Sequence, residues 1–140
     1  MPERLILPAS LRNRLEALAQ EGYPQEACGL LVGALDDCGA RRISRVVPVR
    51  NVNRQRPHDR YLLDPEDHFR AEEEARRDGL DIIGVWHSHP DRSARASETD
   101  RANAWEGWSY LIASVHSGGV SDLRAFCLAG SDFVEQEILS

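Results

Sequence analysis

The apolar positions fall into short runs separated by polar and turn-forming residues. Leu5-Ile6-Leu7 reads as a first strand. Residues 8–21 read as a helix, because Leu11, Leu15 and Leu18 recur at helical spacing while Arg12, Arg14 and Glu16 fill the other face. Gly22 is the stop signal, with Pro24 beyond it. Residues 29–35 form a continuous apolar run, as expected of a strand buried on both faces. Asp36-Asp37-Cys38-Gly39 is a turn, and residues 42–52 are the next strand. Residues 53–59 are polar and read as a surface loop; Tyr61-Leu62-Leu63 reads as a short strand. A helix then starts with Asp64 as N-cap, Pro65 at its first position and Glu66 and Asp67 in its first turn, and runs to Asp78 before Gly79.

Residues 80–86 predict a second buried strand, 87–96 a polar loop in which Pro90 ends the ladder, and Ser97 the start of a short helix. Residues 110–115, 123–128 and 133–138 read as closing strands, with a turn at Gly118-Gly119. Helices interleaved with a sheet that ends in strands predict an α/β fold: a mixed β-sheet flanked by helices. A chain of 140 residues suits one domain, here residues 1–140, and nothing in it reads as a repeat or linker.

The segment Gly84-Val85-Trp86-His87-Ser88-His89-Pro90 carries the chemistry. On an extended chain, residues i and i+2 point to the same side, so His87 and His89 can converge on one ion. Asp100, on the short helix starting at Ser97, is the candidate third ligand. Two His and one carboxylate leave a fourth position open, the pattern of catalytic zinc. A lone His-x-His is more often a pair of exposed loop residues. Ser97-x-x-Asp100 is also a capping-box pattern, and the two roles are compatible. Ser88 should face away from the pair by strand alternation. Cys28 opens an apolar strand and reads as a small buried hydrophobe. His58, His68 and His116 have no ligand-spaced partners and read as surface residues; Trp86, Trp105 and Trp108 read as core or pocket wall.

Composition narrows this further. The net charge of −6 argues against a nucleic-acid grip, although Arg41, Arg42, Arg45, Arg50, Arg54, Arg56 and Arg60 form a local basic strip. The 17 basic residues are all Arg, so no Lys is available as nucleophile or Schiff base. The three cysteines form no CxxC pair, which argues against a disulfide framework or a Cys-rich zinc knuckle. No apolar run reaches a membrane span and the N-terminus reads as no signal peptide, so a cytoplasmic protein is expected. The pattern sets no oligomeric state.

His87-Ser88-His89-Pro90 followed, after residues 91–96, by Ser97-Glu98-Thr99-Asp100 resembles the JAMM signature of the MPN-plus (JAB) zinc peptidases, His-x-His-Pro-x6-Ser-x-x-Asp. Glu26-Ala27-Cys28-Gly29-Leu30-Leu31-Val32-Gly33 resembles the same family's Glu-x-Cys-Gly-Leu-x-x-Gly stretch, and the segment from Asn51 to Pro65, with Arg60-Tyr61 before Asp64-Pro65, resembles its small prokaryotic members. The resemblance implies a cytidine deaminase-like sheet with Zn2+ on His87, His89 and Asp100. It makes Glu26 the general base and Ser97 a donor to the oxyanion. It also implies hydrolysis of an amide bond after the C-terminal tail of a ubiquitin-like protein. In the small prokaryotic members that protein is a sulfur carrier ending in Gly-Gly. The Arg-bearing stretch 50–60 would then contact an acidic carrier or remain a solvated loop. Two other classes share the fold. Non-catalytic scaffolds usually lack one of the ligands, and zinc deaminases carry His-x-Glu and Pro-Cys-x-x-Cys, neither of which occurs here.

Overall fold

The computed structural model describes residues 4–35, 39–57 and 59–140. The expected turn at Asp36-Asp37-Cys38, and His58, lie outside the described residues. The elements in chain order are β1 (Leu5–Ile6), α1 (Ala9–Gly22), β2 (Cys28–Leu35), β3 (Arg41–Val49), α2 (Pro65–Arg77), β4 (Asp81–Pro90), α3 (Glu98–Ala102), β5 (Ser109–His116), β6 (Gly119–Ala129), β7 (Asp132–Gln136) and β8 (Ile138–Leu139). The strands form one mixed sheet in the order β7-β6-β5-β4-β2-β3-β1-β8. β4 runs antiparallel to β2 and parallel to β5, so it lies inside the sheet with a ladder on each side.

The two longer helices cover opposite faces of this sheet. On one face Leu15 and Ala19 of α1 pack with Leu31, Ile43, Val46, Trp86 and Leu111. On the other, Ala71 of α2 packs with Leu30, Val49, Val85 and Tyr110. Neighbours Leu30 and Leu31 therefore serve different cores, as a period of two requires of a strand covered on both sides. The start of α2 is fixed by its sequence. The Asp64 carboxylate accepts from the Glu66 amide at 3.0 Å, Pro65 opens the helix, and Arg76 and Arg77 sit in the last turn where the dipole favours cations.

Two glycines allow close approaches within the sheet. A Cβ on Gly84 would lie 2.0 Å from the Ser109 carbonyl oxygen. One on Gly29 would lie 2.0 Å from the Val47 carbonyl oxygen and 2.3 Å from the Trp86 indole nitrogen. The Trp86 ring thus lies across Gly29, where its N–H donates to that same Val47 oxygen at 3.1 Å. Trp86 is a core residue, 1% exposed.

The pattern is corrected at several places. β4 continues through His87, Ser88, His89 and Pro90, where a polar loop was expected. Proline is tolerated there because the ladder to β2 ends at His87. The Ser88 amide still reaches the Ala27 carbonyl at 2.9 Å, and alternation aims the Pro90 nitrogen at the same side, beyond the end of β2. Tyr61-Leu62-Leu63 forms no strand; Leu63 makes only an isolated bridge to Asn51. The expected last strand is two, β7 and β8, and β8 pairs parallel to β1 rather than continuing the β7 hairpin. Gly22 is the last residue of α1 rather than the position after it. Among the described residues, no helix is long and apolar enough to cross a membrane.

Candidate metal centre

The antiparallel register of β2 and β4 sets Cys28 opposite His87, so Glu26, just before β2, comes level with the histidine pair. His87 and His89 lie on the α2 face of β4, on the same side as Val85, and both are buried. Ser88 points the other way, as alternation predicts, and its hydroxyl oxygen accepts from the Ala27 amide at 2.8 Å. That bond, together with the Ser88-to-Ala27 amide–carbonyl bond, ties the Glu26 end of β2 to the histidine end of β4.

Three donors converge. His87 Nε2 and His89 Nε2 are 3.2 Å apart. Asp100 Oδ1 lies 3.2 Å from the first and Asp100 Oδ2 3.2 Å from the second. The His89 Nδ1–H donates to the Ser93 carbonyl at 2.8 Å, which leaves the His89 Nε2 lone pair facing Asp100 and His87. The His87 ring is stacked on Tyr61, with centroids 4.5 Å apart, and its Nδ1 is buried without a partner. Burial lowers the His87 pKa, although Asp100 pulls the other way.

Two imidazole nitrogens and an ionised carboxylate packed this closely suit a bound cation, and burial disfavours a positive charge on His87 itself. Ligand atoms of a tetrahedral zinc centre with bonds near 2.0 Å stand about 3.3 Å from one another. The 3.2 Å between the two imidazole nitrogens, and the 3.2 Å from each of them to one or other Asp100 oxygen, are on that scale, and two His with a carboxylate are a donor set that zinc accepts.

Glu26 is a fourth candidate. It is 3% exposed, and one of its oxygens lies within 4.8 Å of the ligand atoms of both histidines. At 3.9 Å from His87 Nε2, however, Glu26 Oε1 stands farther off than the Asp100 oxygen at 3.2 Å. The two carboxyls also differ in how tightly they hold a proton. Burial pushes Glu26 up to about 8; Arg92 opposes the rise and the Asp100 charge adds to it. Burial would raise Asp100 as well, but bonds to His87, His89 and the Ser97 amide hold it well below the usual carboxylate range. Environments that push two neighbouring carboxyls apart in this way assign them different tasks.

The backbone around Glu26 is held by the segment that follows β3. The Glu26 amide donates to the Pro57 carbonyl at 2.7 Å, and its carbonyl accepts from the Asn51 side-chain amide at 3.0 Å. The Asn51 side chain also bonds Arg60, Asn53 and Leu62, so one residue fastens the 51–62 segment to the base of the site.

Ser97 caps α3 through a complete capping box. Its hydroxyl oxygen accepts from the Asp100 amide at 3.1 Å, and its own amide donates to Asp100 Oδ2 at 2.8 Å. The cap therefore orients the carboxylate that meets the histidines. Cys28 is buried against the Val49 carbonyl, in keeping with a structural role.

Three contributors escape the sequence reading. Arg92 forms an ion pair with Glu26 at 3.1 Å, Tyr61 stacks on His87, and Asn51 fastens the loop. The Arg60-Tyr61 and Asn51 positions fall within a segment singled out for its resemblance, but no periodicity marks them. Arg92 carries no signal beyond its place two residues after Pro90. His68 is half-buried beside Trp108, not a free surface residue. It lines a groove of about 510 Å³ whose walls include Tyr61, Leu63, Trp105, Trp108 and Tyr110 and which reaches Glu26 and Asp100.

Comparison with known proteins agrees with this layout. The family described as prokaryotic homologs of the JAB domain matches residues 8–127. The chain is 40% identical over 116 residues to the desampylase of Haloferax volcanii, covering 79% of this chain and 81% of that protein. It is 30% identical over 138 residues to the CysO-cysteine peptidase of Mycobacterium tuberculosis, covering 96% and 89%. Among solved structures, one of a protein from Desulfitobacterium hafniense superposes with a TM-score of 0.84 at 31% identity, covering 96% of this chain and 91% of that one. A family match over most of the chain, on a sheet that brings the signature residues together, means that this chain belongs to the prokaryotic homologs of the JAB domain.

Proposed function

We propose that this protein is a zinc-dependent peptidase that hydrolyses the amide bond after the C-terminal tail of a ubiquitin-like sulfur-carrier protein. His87, His89 and Asp100 are its ligands, Glu26 its general base and Ser97 its oxyanion donor. The observation that carries the reading is the close grouping of His87, His89 and Asp100 with a buried glutamate beside it. The names of the relatives support the substrate class: one is a desampylase and one a CysO-cysteine peptidase.

When bound, a zinc ion supplies Lewis acidity and lowers the pKa of a coordinated water to about 7. The protein's own residues do the rest. Asp100 stays ionised, and His89 keeps its Nε2 lone pair toward the site through the bond to Ser93. Glu26 accepts a proton on its free carboxylate oxygen and later passes one to the leaving amine. The Ser97 hydroxyl, whose oxygen accepts from the Asp100 amide, would donate its O–H to the developing oxyanion. The groove beside Glu26 and Asp100 receives the tail in extended form, its polar ends at the site and its body against Tyr61, Trp105 and Trp108.

The test is mass spectrometry of carrier fusions incubated with the protein. Cleavage is expected directly after the Gly-Gly tail, abolished by a chelator and restored by zinc. A bulky residue in place of the last glycine should slow cleavage by about 100-fold, because misplacement by an ångström carries that cost. Changing the residue after the bond should matter much less. Equal cleavage of Gly-Gly and bulky-tail fusions would remove the carrier reading.

A further inference from the structure

We propose that Arg92 is a positioning residue that holds Glu26 outside the metal's coordination shell and so reserves its carboxylate for proton transfer. The inference deepens the function proposed above and rests on it for the identity of the ligands.

Glu26 is close enough to become a ligand itself, since one of its oxygens lies within 4.8 Å of the ligand atoms of both histidines. A carboxylate bound directly to the ion would no longer be free to act as base. Nothing in its backbone anchoring prevents this. The bonds from Glu26 to Pro57 and Asn51 fix the main chain and leave the side chain free to rotate. Among the described residues, the carboxylate's one hydrogen bond comes from the Arg92 guanidinium, at 3.1 Å to Oε2. With Oε2 held there, Oε1 stands 3.9 Å from His87 Nε2, against 3.2 Å for the Asp100 oxygen.

Arg92 is itself anchored. Its carbonyl accepts from the Ser114 hydroxyl of β5, and the preceding Asp91 amide donates to the Val115 carbonyl at 2.8 Å. The main chain that carries the cation is thus tied to the strand next to the histidines. Its Nε is buried without a partner, which leaves the terminal nitrogen as the group that engages Glu26.

Removing an outer-shell partner ordinarily weakens metal binding. The proposal predicts the reverse. In Arg92→Ala the freed carboxylate adds to the coordination shell, so the zinc Kd, read by chelator competition, should fall by about tenfold. Turnover of a Gly-Gly carrier fusion should fall by about 10–100-fold in kcat with little change in KM. Added guanidinium should restore part of kcat, and Arg92→Lys should retain more than Arg92→Ala. In a Glu26→Gln background, Arg92→Ala should leave the zinc Kd unchanged, because the neutral amide has little to offer the ion. Weaker zinc binding in Arg92→Ala, or an equal change of Kd in the Glu26→Gln background, would show that Arg92 only holds the 91–96 segment, and would overturn the inference. The zinc arm needs no substrate, so it decides on Arg92 even if the carrier reading fails.

Discussion

Replacing Glu26 by Gln should leave the fold and the metal content intact and lower turnover by about 100- to 10,000-fold, the range of a general base. The substitution keeps the shape of a side chain that is 3% exposed and wedged beside His87 and Arg92. It also keeps an oxygen for the Arg92 guanidinium. What it removes is the proton acceptor. The neutral amide also suits this buried position, where burial already drives the carboxyl up to about 8, so stability should hold or rise. The check is metal content, thermal midpoint and kcat measured on one preparation. A variant that cleaves at the native rate would sink the role given to Glu26.

The second large effect is expected at the ligands. Asp100→Asn should weaken zinc binding by more than about 100-fold, beyond the loss typical of outer-shell partners. The side-chain oxygen that remains can still accept from the Ser97 amide, so α3 should stay capped and the metal-free protein should unfold near the native midpoint. Function and structure separate in this one residue because its two oxygens reach in different directions, one toward His87 and the other toward His89 and the cap. His89→Ala should lose zinc in the same way while keeping the ladder to β5. Stoichiometric zinc retained by either variant would count against the ligand set.

The histidine pair was legible because alternation along a strand is a local property: His87 and His89 share a face whatever the rest of the chain does. The N-cap of α2 and the two-sided burial of β2 were legible for the same reason. Pro90 misled because its effect depends on which neighbour it faces. Next to a paired strand it would end the ladder, but here β2 has already ended on that side. Tyr61-Leu62-Leu63 has the composition of a strand, yet the Asn51 side chain takes the Leu62 amide that a neighbouring strand would have used. The split between β7 and β8 depends on a pairing with β1 from the far end of the chain, which no local pattern encodes. Arg92 was hidden because a charged residue in a polar stretch reads as solvated until the fold sets Glu26 beside it.

The placement of β4 has a dynamic consequence. Its residues from Asp81 to His87 are laddered to β2 and those from Gly84 to Pro90 to β5, whereas Asp100 rides on α3, a helix of five residues. Backbone hydrogen exchange should therefore divide the centre in two. The amides of His87 and His89 should open only with global unfolding, while those of α3 should exchange through cheap local opening. Zinc should slow the second set and leave the first as it was. The ion would then enter and leave by way of the α3 side, with the histidines waiting in place as a preformed half-site.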